Sequence, residues 1–318
     1  MPSLVGSEMC IRDRLYEHQP EYISGQYIAY QLNISRAAVK KVIDQLKMNG
    51  CQIESINHKG HLLKQLPDQW YSGIVNPIIE QRHIFDYVDV MSTVDSTQLK
   101  AKQALVGNQD SFIILSDEQT KGRGRFNRYW RSSKGKGLWM SIVLRPDVPY
   151  AMIPKFNLFI ALGIRDAIQQ FSRHDVTIKW PNDIYIDGKK VCGFLTEMVA
   201  NYDAIEAIIC GIGINMNHDV SDFDEEIQHS ATSIRIHSEN NFNRYEFLDV
   251  LTQNIERRYQ QFLTVPFEEI REEYIAATNM WNKQLRFTEN DKQFIGEAID
   301  IDHDGFLMVK DDEGQLRR

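Results

Sequence analysis

The sequence predicts an α+β multidomain protein in which a winged helix-turn-helix domain precedes a larger α/β domain. Three observations lead to this prediction. The chain has 318 residues, which is more than one typical domain requires. Residues 24–63 follow the pattern of two short helices and a hairpin. Residues 84–263 alternate apolar runs of strand length with longer helical patterns, which is typical of an α/β domain.

The composition is that of a globular protein with an uneven charge distribution. Hydrophobic residues make up 42% and charged residues 25%, which provides enough apolar material for a sizeable core. The formal net charge of −8 argues against general polyanion binding by the whole chain. Residues 33–66 nevertheless contain six Lys or Arg and only two acidic residues. We interpret this basic segment as a DNA-binding head, with a solvated helix face as the alternative.

The cysteines and the apolar pattern indicate a cytoplasmic protein. Cys10, Cys51, Cys192 and Cys210 form no C-x-x-C pair, so we expect neither a structural zinc site nor a disulfide framework. No apolar run approaches the roughly 18 residues of a membrane span. The N-terminus also lacks the basic and apolar regions of a signal peptide. We therefore expect no membrane partner.

Residues 1–14 are predicted to be an anomalous leader. Their sequence, MPSLVGSEMCIRDR, lacks the helical period that resumes at Leu15. We interpret it as an artefact, a translated sequencing adapter joined to a truncated gene. The first helix of the winged helix-turn-helix domain, which we place at residues 15–66, is then expected to be partly replaced. A linker is expected at residues 67–83.

The helix-turn-helix is predicted to begin at Gly25 and to end at Asp44. Ser35 is a good N-cap for a second helix at residues 36–49, in which apolar residues recur with helical spacing. A hairpin with a basic tip follows at residues 52–63. These features suit insertion into the major groove with backbone contacts beside it, and a small protein-interaction domain is the alternative. The expected DNA-binding residues are Ser35, Arg36, Lys40, Lys41 and Lys59.

Residues 121–130, KGRGRFNRYW, separate the first two strands of the α/β domain. Glycines resist ordering and arginines repel one another, so this pattern makes sense where an anion binds. It matches neither a Walker P-loop nor a dinucleotide fingerprint. The alternatives are a flexible surface loop and an RNA-binding tract.

Three further segments carry polar groups at the ends of elements. Residues 95–98, DSTQ, begin a helix, and residues 179–184, KWPNDI, end a strand in a turn before KKVCG at 189–193. The sequence GIGIN at 211–215 is predicted to follow an apolar strand. A single GxGxN is often only a tight turn, whereas Lys, Asn and Asp together at a strand end seldom serve packing.

Together and in this order, these segments resemble the biotin protein ligases that carry an N-terminal winged helix. The resemblance covers roughly residues 15–315. It implies a catalytic domain related to class II aminoacyl-tRNA synthetases, expected at 84–270, and an SH3-like β-barrel at 271–318. Strand patterns between residues 285 and 309 fit that barrel. We expect the barrel to lack its last strand.

The resemblance implies formation of biotinyl-5′-AMP from biotin and ATP with Mg²⁺, without a tightly bound cofactor. It implies catalytic roles for Lys190 and Arg125. It implies that biotin is bound by the following residues: Ser96, Thr97, Gln98, Gln119, Gly122, Arg123, Gly124, Arg125, Lys190 and Gly193. It assigns the nucleotide to Arg128, Trp130, Lys179, Asn182, Asp183 and Asn215. Asp183, or Asn182 beside it, would hold Mg²⁺ or position Lys190.

The resemblance also implies partners. Biotin would pass to a lysine of a biotin carboxyl carrier protein, and an adenylate-bound homodimer would repress biotin genes on operator DNA. Gln98 stands where many relatives have Asn, and we expect function to persist because both side chains carry the same groups. Two alternatives remain, namely a lipoate ligase-like enzyme and a ligand-sensing repressor without ligase activity.

Overall fold

The computed structural model describes residues 4–201, 204–238, 243–289 and 292–318. The chain divides into two compact units, Met1–Pro77 and Ile78–Arg318. None of the described helices is long and apolar enough to cross a membrane.

The first unit is a winged helix-turn-helix. Three helices are followed by an antiparallel hairpin in which Ser55 pairs with His61. The elements are α1 (Leu4–Glu17), α2 (Gly25–Leu32), α3 (Arg36–Met48), β1 (Gln52–Ile56) and β2 (Gly60–Gln65). A further helix, α4 (Ser72–Ile79), occupies much of the predicted linker and extends to the start of the second unit.

Helix α3 forms where its capping chemistry and apolar spacing predict. The Ser35 hydroxyl accepts a hydrogen bond from the Ala38 amide at 3.1 Å, which satisfies one of the free donors of the first turn. Its apolar face is buried, and Gly50, just beyond the helix, adopts a φ of +93°. The buried residues of this face are Val39, Val42, Ile43 and Leu46.

The expectation for the leader was wrong in its structural part. Residues 4–14 belong to helix α1, and Ile11 and Leu15 are buried in the same core as α2 and α3. These two residues, four apart, lie on one face of the helix. Because most of the other positions are polar or small, the period was too weak to detect. Residues 1–3 lie outside the described part of the chain, and the artefactual origin of the leader stays a prediction.

The second unit is built on a seven-stranded sheet with strand order β3-β4-β5-β9-β8-β7-β6. Strands β3 and β4 are parallel, and the other neighbours are antiparallel. The strands are β3 (Tyr87–Met91), β4 (Phe112–Ser116), β5 (Gly137–Leu144), β6 (Val176–Lys179), β7 (Asp183–Ile186), β8 (Lys189–Asn201) and β9 (Ala204–Asn215).

Helices provide most of the remaining core of this unit. They are α5 (Thr97–Ala104), α6 (Ile153–Gln169), α7 (Arg244–Thr264) and α8 (Phe267–Ala276). Phe262 of α7 meets Phe156 and Phe159 of α6 edge to face. Arg258, which is 1% exposed, is neutralised by Asp166 and Glu273, so the buried guanidinium has charged partners.

The C-terminal strands form a separate four-stranded antiparallel sheet, β10 (Gln284–Glu289), β11 (Lys292–Ile301), β12 (Leu307–Asp311) and β13 (Leu316–Arg317). The three-part fold class predicted from the sequence is therefore confirmed: a helix-turn-helix, a mixed α/β centre and a C-terminal β-sheet. The predicted boundary at residue 270 falls inside α8, whose Arg271 donates to the Ile301 carbonyl at 3.1 Å. The helix is thus joined directly to the C-terminal sheet.

Candidate active site

A pocket of about 450 Å³ lies over the centre of the seven-stranded sheet. Most of the residues that the sequence singled out line it, although they come from five separate segments. These residues are Ser96, Thr97, Gln98, Gln119, Arg123, Gly124, Arg125, Arg128, Trp130, Asn182, Asp183, Lys190, Gly193 and Asn215.

Two predicted site residues do not line the pocket. Gly122 lies beneath it, where its carbonyl accepts from the Trp130 amide at 2.9 Å. Lys179 ends the edge strand β6, and its Nζ lies 5.5 Å from the centre of the Tyr185 ring on the neighbouring strand. Lys179 is the cross-strand partner of Asp183, a pocket residue of β7, although Lys179 itself does not line the pocket.

The floor of the pocket consists of Gly193 of β8 and Gly211 and Gly213 of β9. A Cβ atom on Gly211 would lie 2.5 Å from Gln98 Oε1, and one on Gly213 would lie 2.7 Å from Trp130 Nε1. Glycine is therefore required for side chains to approach the strand from above. The expectation that GIGIN follows its strand was wrong, because β9 continues through Asn215.

A chain of hydrogen bonds, here called the polar network, joins Thr97, Gln98, Gln119, Ser141 and Glu197. The Thr97 amide donates to Gln119 Oε1 at 2.8 Å, and the Ser141 hydroxyl lies 2.9 Å from Thr97 Oγ1 and 3.0 Å from Gln98 Oε1. Gln98 Nε2 donates to Glu197 Oε2 at 2.8 Å. These mutual bonds hold the neutral polar groups in fixed positions before any ligand binds.

Ser141 and Glu197 were missed by sequence reasoning. Ser141 lies in the fully buried strand β5, and its hydroxyl was the one polar signal in that apolar run. Glu197 lies in β8, where a charged residue in an alternating strand looks solvent-facing. It instead receives Gln98 on one oxygen and Lys102 Nζ on the other at 2.8 Å.

Lys190 and Asp183 form an ion pair at the side of the pocket. Lys190 Nζ lies 2.7 Å from Asp183 Oδ1, and the two side chains are 29% and 25% exposed. Lys190 Nζ also lies 5.2 Å from the centre of the Trp130 ring. Of the two roles considered for Asp183, positioning of Lys190 has a direct contact in the structure, since one oxygen of its carboxylate bonds that ammonium group.

Residues 121–131, here called the Gly-Arg hairpin, fold back on themselves above the floor. The Gly124 amide donates to the Arg128 carbonyl at 2.8 Å. At the tip, Phe126 and Asn127 both have a φ of 56°, and Phe126 is 81% exposed. Arg125 Nη1 donates to Asn182 Oδ1 at 3.1 Å, which ties the hairpin to the turn after β6.

Residues 216–238 close the other side of the pocket, and sequence reasoning missed their contribution. Asn215 Nδ2 donates to the Thr232 carbonyl at 3.0 Å, and the Thr232 amide donates to the Lys190 carbonyl at 2.9 Å. His218 stacks on Phe223 with ring centres 5.0 Å apart. Burial lowers the pKa of His218 to about 4, so this ring is neutral near pH 7.

The first unit exposes the basic side chains that were predicted to bind DNA. Arg36, Lys40 and Lys41 of α3 are exposed, as is Lys59 at the tip of the wing. Ser35 caps α3 with its hydroxyl. A recognition helix and a wing that both present basic residues have the form of a winged-helix nucleic-acid interface.

Comparison with known proteins agrees with both units. Residues 90–215 match the model of the Biotin/lipoate A/B protein ligase family, and residues 10–62 match that of an HTH domain. The chain is 36% identical over 305 residues to the bifunctional ligase/repressor BirA of Bacillus subtilis, covering 92% of this chain and 91% of that protein. It is 24% identical to BirA of Escherichia coli over 297 residues, covering 92% and 89%.

The second unit also resembles a solved structure. The biotin protein ligase from Aquifex aeolicus in complex with biotin and ATP covers 74% of this chain with a TM-score of 0.62 and 27% identity, and all of that chain is matched. The pocket, the helix-turn-helix and the extent of these matches lead to one conclusion: this chain belongs to the family of bifunctional biotin ligase/repressors.

Proposed function

We propose that this protein joins biotin to ATP, forming biotinyl-5′-AMP and pyrophosphate, and then transfers biotin to a lysine of a biotin carboxyl carrier protein. The observation that carries this proposal is the ion-paired Lys190 beside the Gly-Arg hairpin, in one pocket with the uncharged side chains of Thr97, Gln98 and Gln119. Such a pocket offers neutral partners at one end and positive charge at the other, as biotin and a nucleotide require.

The polar network suits the ureido group of biotin. Thr97, Gln98 and Gln119 present hydroxyl and amide groups but no net charge, and Ser96 lies beside them as the cap of α5. A neutral ureido group needs such donors and acceptors. Leu195, which pairs with Gly211 and shares its face of the sheet, lines the same pocket and provides apolar surface for the thiophene ring.

The positive end suits the carboxylate and the phosphates. Lys190 would bond the biotin carboxylate, and one oxygen of that carboxylate would attack the α-phosphorus of ATP. Arg123, Arg125 and the Gly124 amide would close over the reacting groups, and Arg128 would hold the phosphate tail. Fixed positive groups at this point stabilise the charge that develops on the phosphate oxygens, and closure excludes water from the adenylate.

The adenine end is proposed to contact Trp130 and Asn215. Trp130 Nε1 is buried and makes no hydrogen bond within the described part of the chain. A buried N–H group without a partner is costly in free energy, so a hydrogen-bond acceptor on the ligand would stabilise the complex here. Asn182 would act through its bond to Arg125, and Gly122 and Gly193 would leave room for the ligand.

Magnesium would enter with ATP. Mg²⁺ prefers phosphate oxygens supplemented by one or two carboxylates, and Asp183 is the carboxylate that adjoins Lys190 in the pocket. Its second oxygen would be the ligand. The ion would offset negative charge on the leaving pyrophosphate.

Transfer of labelled biotin to a carrier domain, with ATP and Mg²⁺, tests the ligase. Lys190→Ala should lower the rate at least about 100-fold, because a positioned charge is removed from the reacting carboxylate. Lys310→Ala is the matched control, since Lys310 is an exposed lysine that does not line the pocket, and it should transfer at the parent rate. Tight biotin binding without transfer would indicate a ligand-sensing repressor. Transfer of lipoate in preference to biotin would indicate a lipoate ligase.

The helix-turn-helix is proposed to bind operator DNA as an adenylate-bound homodimer, with the carrier protein competing for the dimer surface. The contacts would come from Arg36, Lys40 and Lys41 on the helix that Ser35 caps, and from Lys59 at the tip of the wing. We further propose a cytoplasmic location, where carrier proteins and DNA are both accessible. Sedimentation with and without biotinyl-5′-AMP tests the linkage, and a dimerisation constant that does not respond to the adenylate would contradict it.

A further inference from the structure

Two histidines and an aspartate meet at a place away from the central pocket. His174 lies between α6 and β6, Asp187 lies in the turn between β7 and β8, and His237 ends the short 3-10 helix Arg235–His237. His174 Nδ1 lies 2.8 Å from Asp187 Oδ2, and His237 Nδ1 lies 3.5 Å from the same oxygen. None of the three residues lines the pocket.

The geometry is that of a metal-ligand set. The three ligand atoms all lie within 4.8 Å of one another. Tetrahedral zinc, with bonds of about 2.0–2.1 Å, requires ligand atoms about 3.3 Å apart. The two separations from Asp187, 2.8 and 3.5 Å, lie on either side of that value.

The surroundings prepare His237 to act as a ligand. Its Nε2 lies 2.9 Å from Thr232 Oγ1, and that hydroxyl can accept the Nε2 proton. The lone pair of Nδ1 then faces Asp187. A second partner of this kind orients the ring of most metal-binding histidines.

Two imidazoles direct Nδ1 at the same oxygen of Asp187, and their rings are 5.1 Å apart and T-shaped. A divalent ion between these atoms would accept a lone pair from each nitrogen and from the carboxylate oxygen. Imidazole ligands favour zinc-like ions and disfavour Mg²⁺.

We propose that His174, Asp187 and His237 bind one zinc-type divalent transition-metal ion, with water as the fourth ligand. The site is half exposed, since the side chains of His174 and Asp187 are each 50% exposed. An ion can therefore enter from solvent, and a tetrahedral position remains for water.

One residue, Thr232, connects the proposed metal site to the pocket. Thr232, which bonds His237, donates its amide to the Lys190 carbonyl and accepts from Asn215 at its own carbonyl. A bound ion would thus fix the segment that supports both residues. The proposal itself does not depend on the ligase reaction, because metal binding is measured without biotin or ATP.

Titration of the full-length protein with Zn²⁺, in competition with a chromophoric chelator, tests the site. The parent should take up one equivalent of Zn²⁺ that His174→Ala and Asp187→Asn bind at least about tenfold more weakly. Asn suits the φ of +50° at position 187, and His174 is half exposed, so both variants should fold. Circular dichroism checks this directly.

His229→Ala is the matched control, because His229 is an exposed histidine outside the cluster. It should bind Zn²⁺ as the parent does. Cys10 is an exposed thiol and a possible competing ligand. Uptake that survives both cluster substitutions, or no uptake by the parent, would overturn the proposal.

Discussion

The floor of the pocket with its polar network and the Gly-Arg hairpin above it are built in opposite ways. Gln98 is held by Ser141, Glu197 and the Ile209 carbonyl. By contrast, Arg123 and Arg128 are exposed, and neither forms an ion pair within the part of the chain that the structure describes. One region satisfies its polar groups internally, and the other leaves the positive charges of Arg123 and Arg128 for a ligand, while Arg131 pairs with Asp224.

The difference indicates that the two regions bind different substrates. A network that is formed before binding loses little entropy when a rigid, neutral ligand arrives. A hairpin of exposed arginines loses more entropy on binding. This loss is compensated only when phosphate oxygens accept hydrogen bonds from the arginines. We therefore expect changes in the floor and its network to act on biotin, and changes in the hairpin to act on ATP.

Gly213→Val should have the largest effect, because it affects both regions. The new Cβ would lie 2.7 Å from Trp130 Nε1, so the indole that spans the floor and the hairpin must move. A displacement of about 1 Å is sufficient to slow biotin transfer about 100-fold. Ile214→Val is the control, since residue 214 is the next residue of β9 and points to the opposite face. Equal rates for the two variants in the transfer assay would contradict this role of the floor.

Arg128→Ala should act on ATP alone. Removing one charged hydrogen-bond donor to a phosphate costs about 1.5–3 kcal/mol, which raises the KM for ATP about 10- to 100-fold. The KM for biotin should remain within about twofold. Steady-state kinetics with each substrate varied in turn separate the two values. A parallel rise in both would show that the hairpin does not act separately from the floor.

Glu197→Gln should weaken biotin binding about tenfold. It replaces the carboxylate that holds Gln98 Nε2 with an amide whose bond is about half as strong. Lys102→Gln is the comparison, since Lys102 bonds the other oxygen and is 43% exposed. It should change biotin affinity about twofold or less. Calorimetric titration with biotin measures both, and the reverse order would contradict the role of Glu197.

His218 should affect stability rather than turnover. Its pKa is about 4 in the folded protein and about 6.5 when unfolded. The unfolded state therefore binds more protons between these values, so the stabilisation is complete above about pH 6.5 and is lost as the pH falls toward 4. The loss amounts to about 2 kcal/mol at pH 5. Urea unfolding at pH 7.5 and 5 should show this difference in the parent but not in His218→Gln, and equal pH dependence would contradict it.

The parts of the molecule governed by local chemistry were predictable from sequence. Ser35 caps α3, and the apolar spacing of that helix places its buried face, so the helix-turn-helix follows from nearby residues. The Lys, Asn and Asp at the end of β6 likewise pointed to Asn182 and Asp183, which line the pocket, whereas Lys190 was assigned by the family resemblance. In each case the signal lies within a few residues of the element that it specifies.

The parts governed by long-range packing were not predictable in this way. Glu197 looks like a surface residue until Gln98, 99 positions away, reaches it. The glycines of β9 look like a turn until Trp130 packs above the strand. Helix α1 depends on two residues, Ile11 and Leu15, whose partners come from later helices. Only the folded chain brings these groups together.

A steady-state transfer assay tests most directly whether the floor binds biotin and the hairpin binds ATP. It compares three proteins: the parent, Glu197→Gln and Arg128→Ala. Each is measured with biotin and ATP varied independently. We predict that Glu197→Gln raises only the KM for biotin and that Arg128→Ala raises only the KM for ATP. If either substitution raised both constants equally, or if no protein transferred biotin, the division between a biotin-binding floor and an ATP-binding hairpin would be wrong.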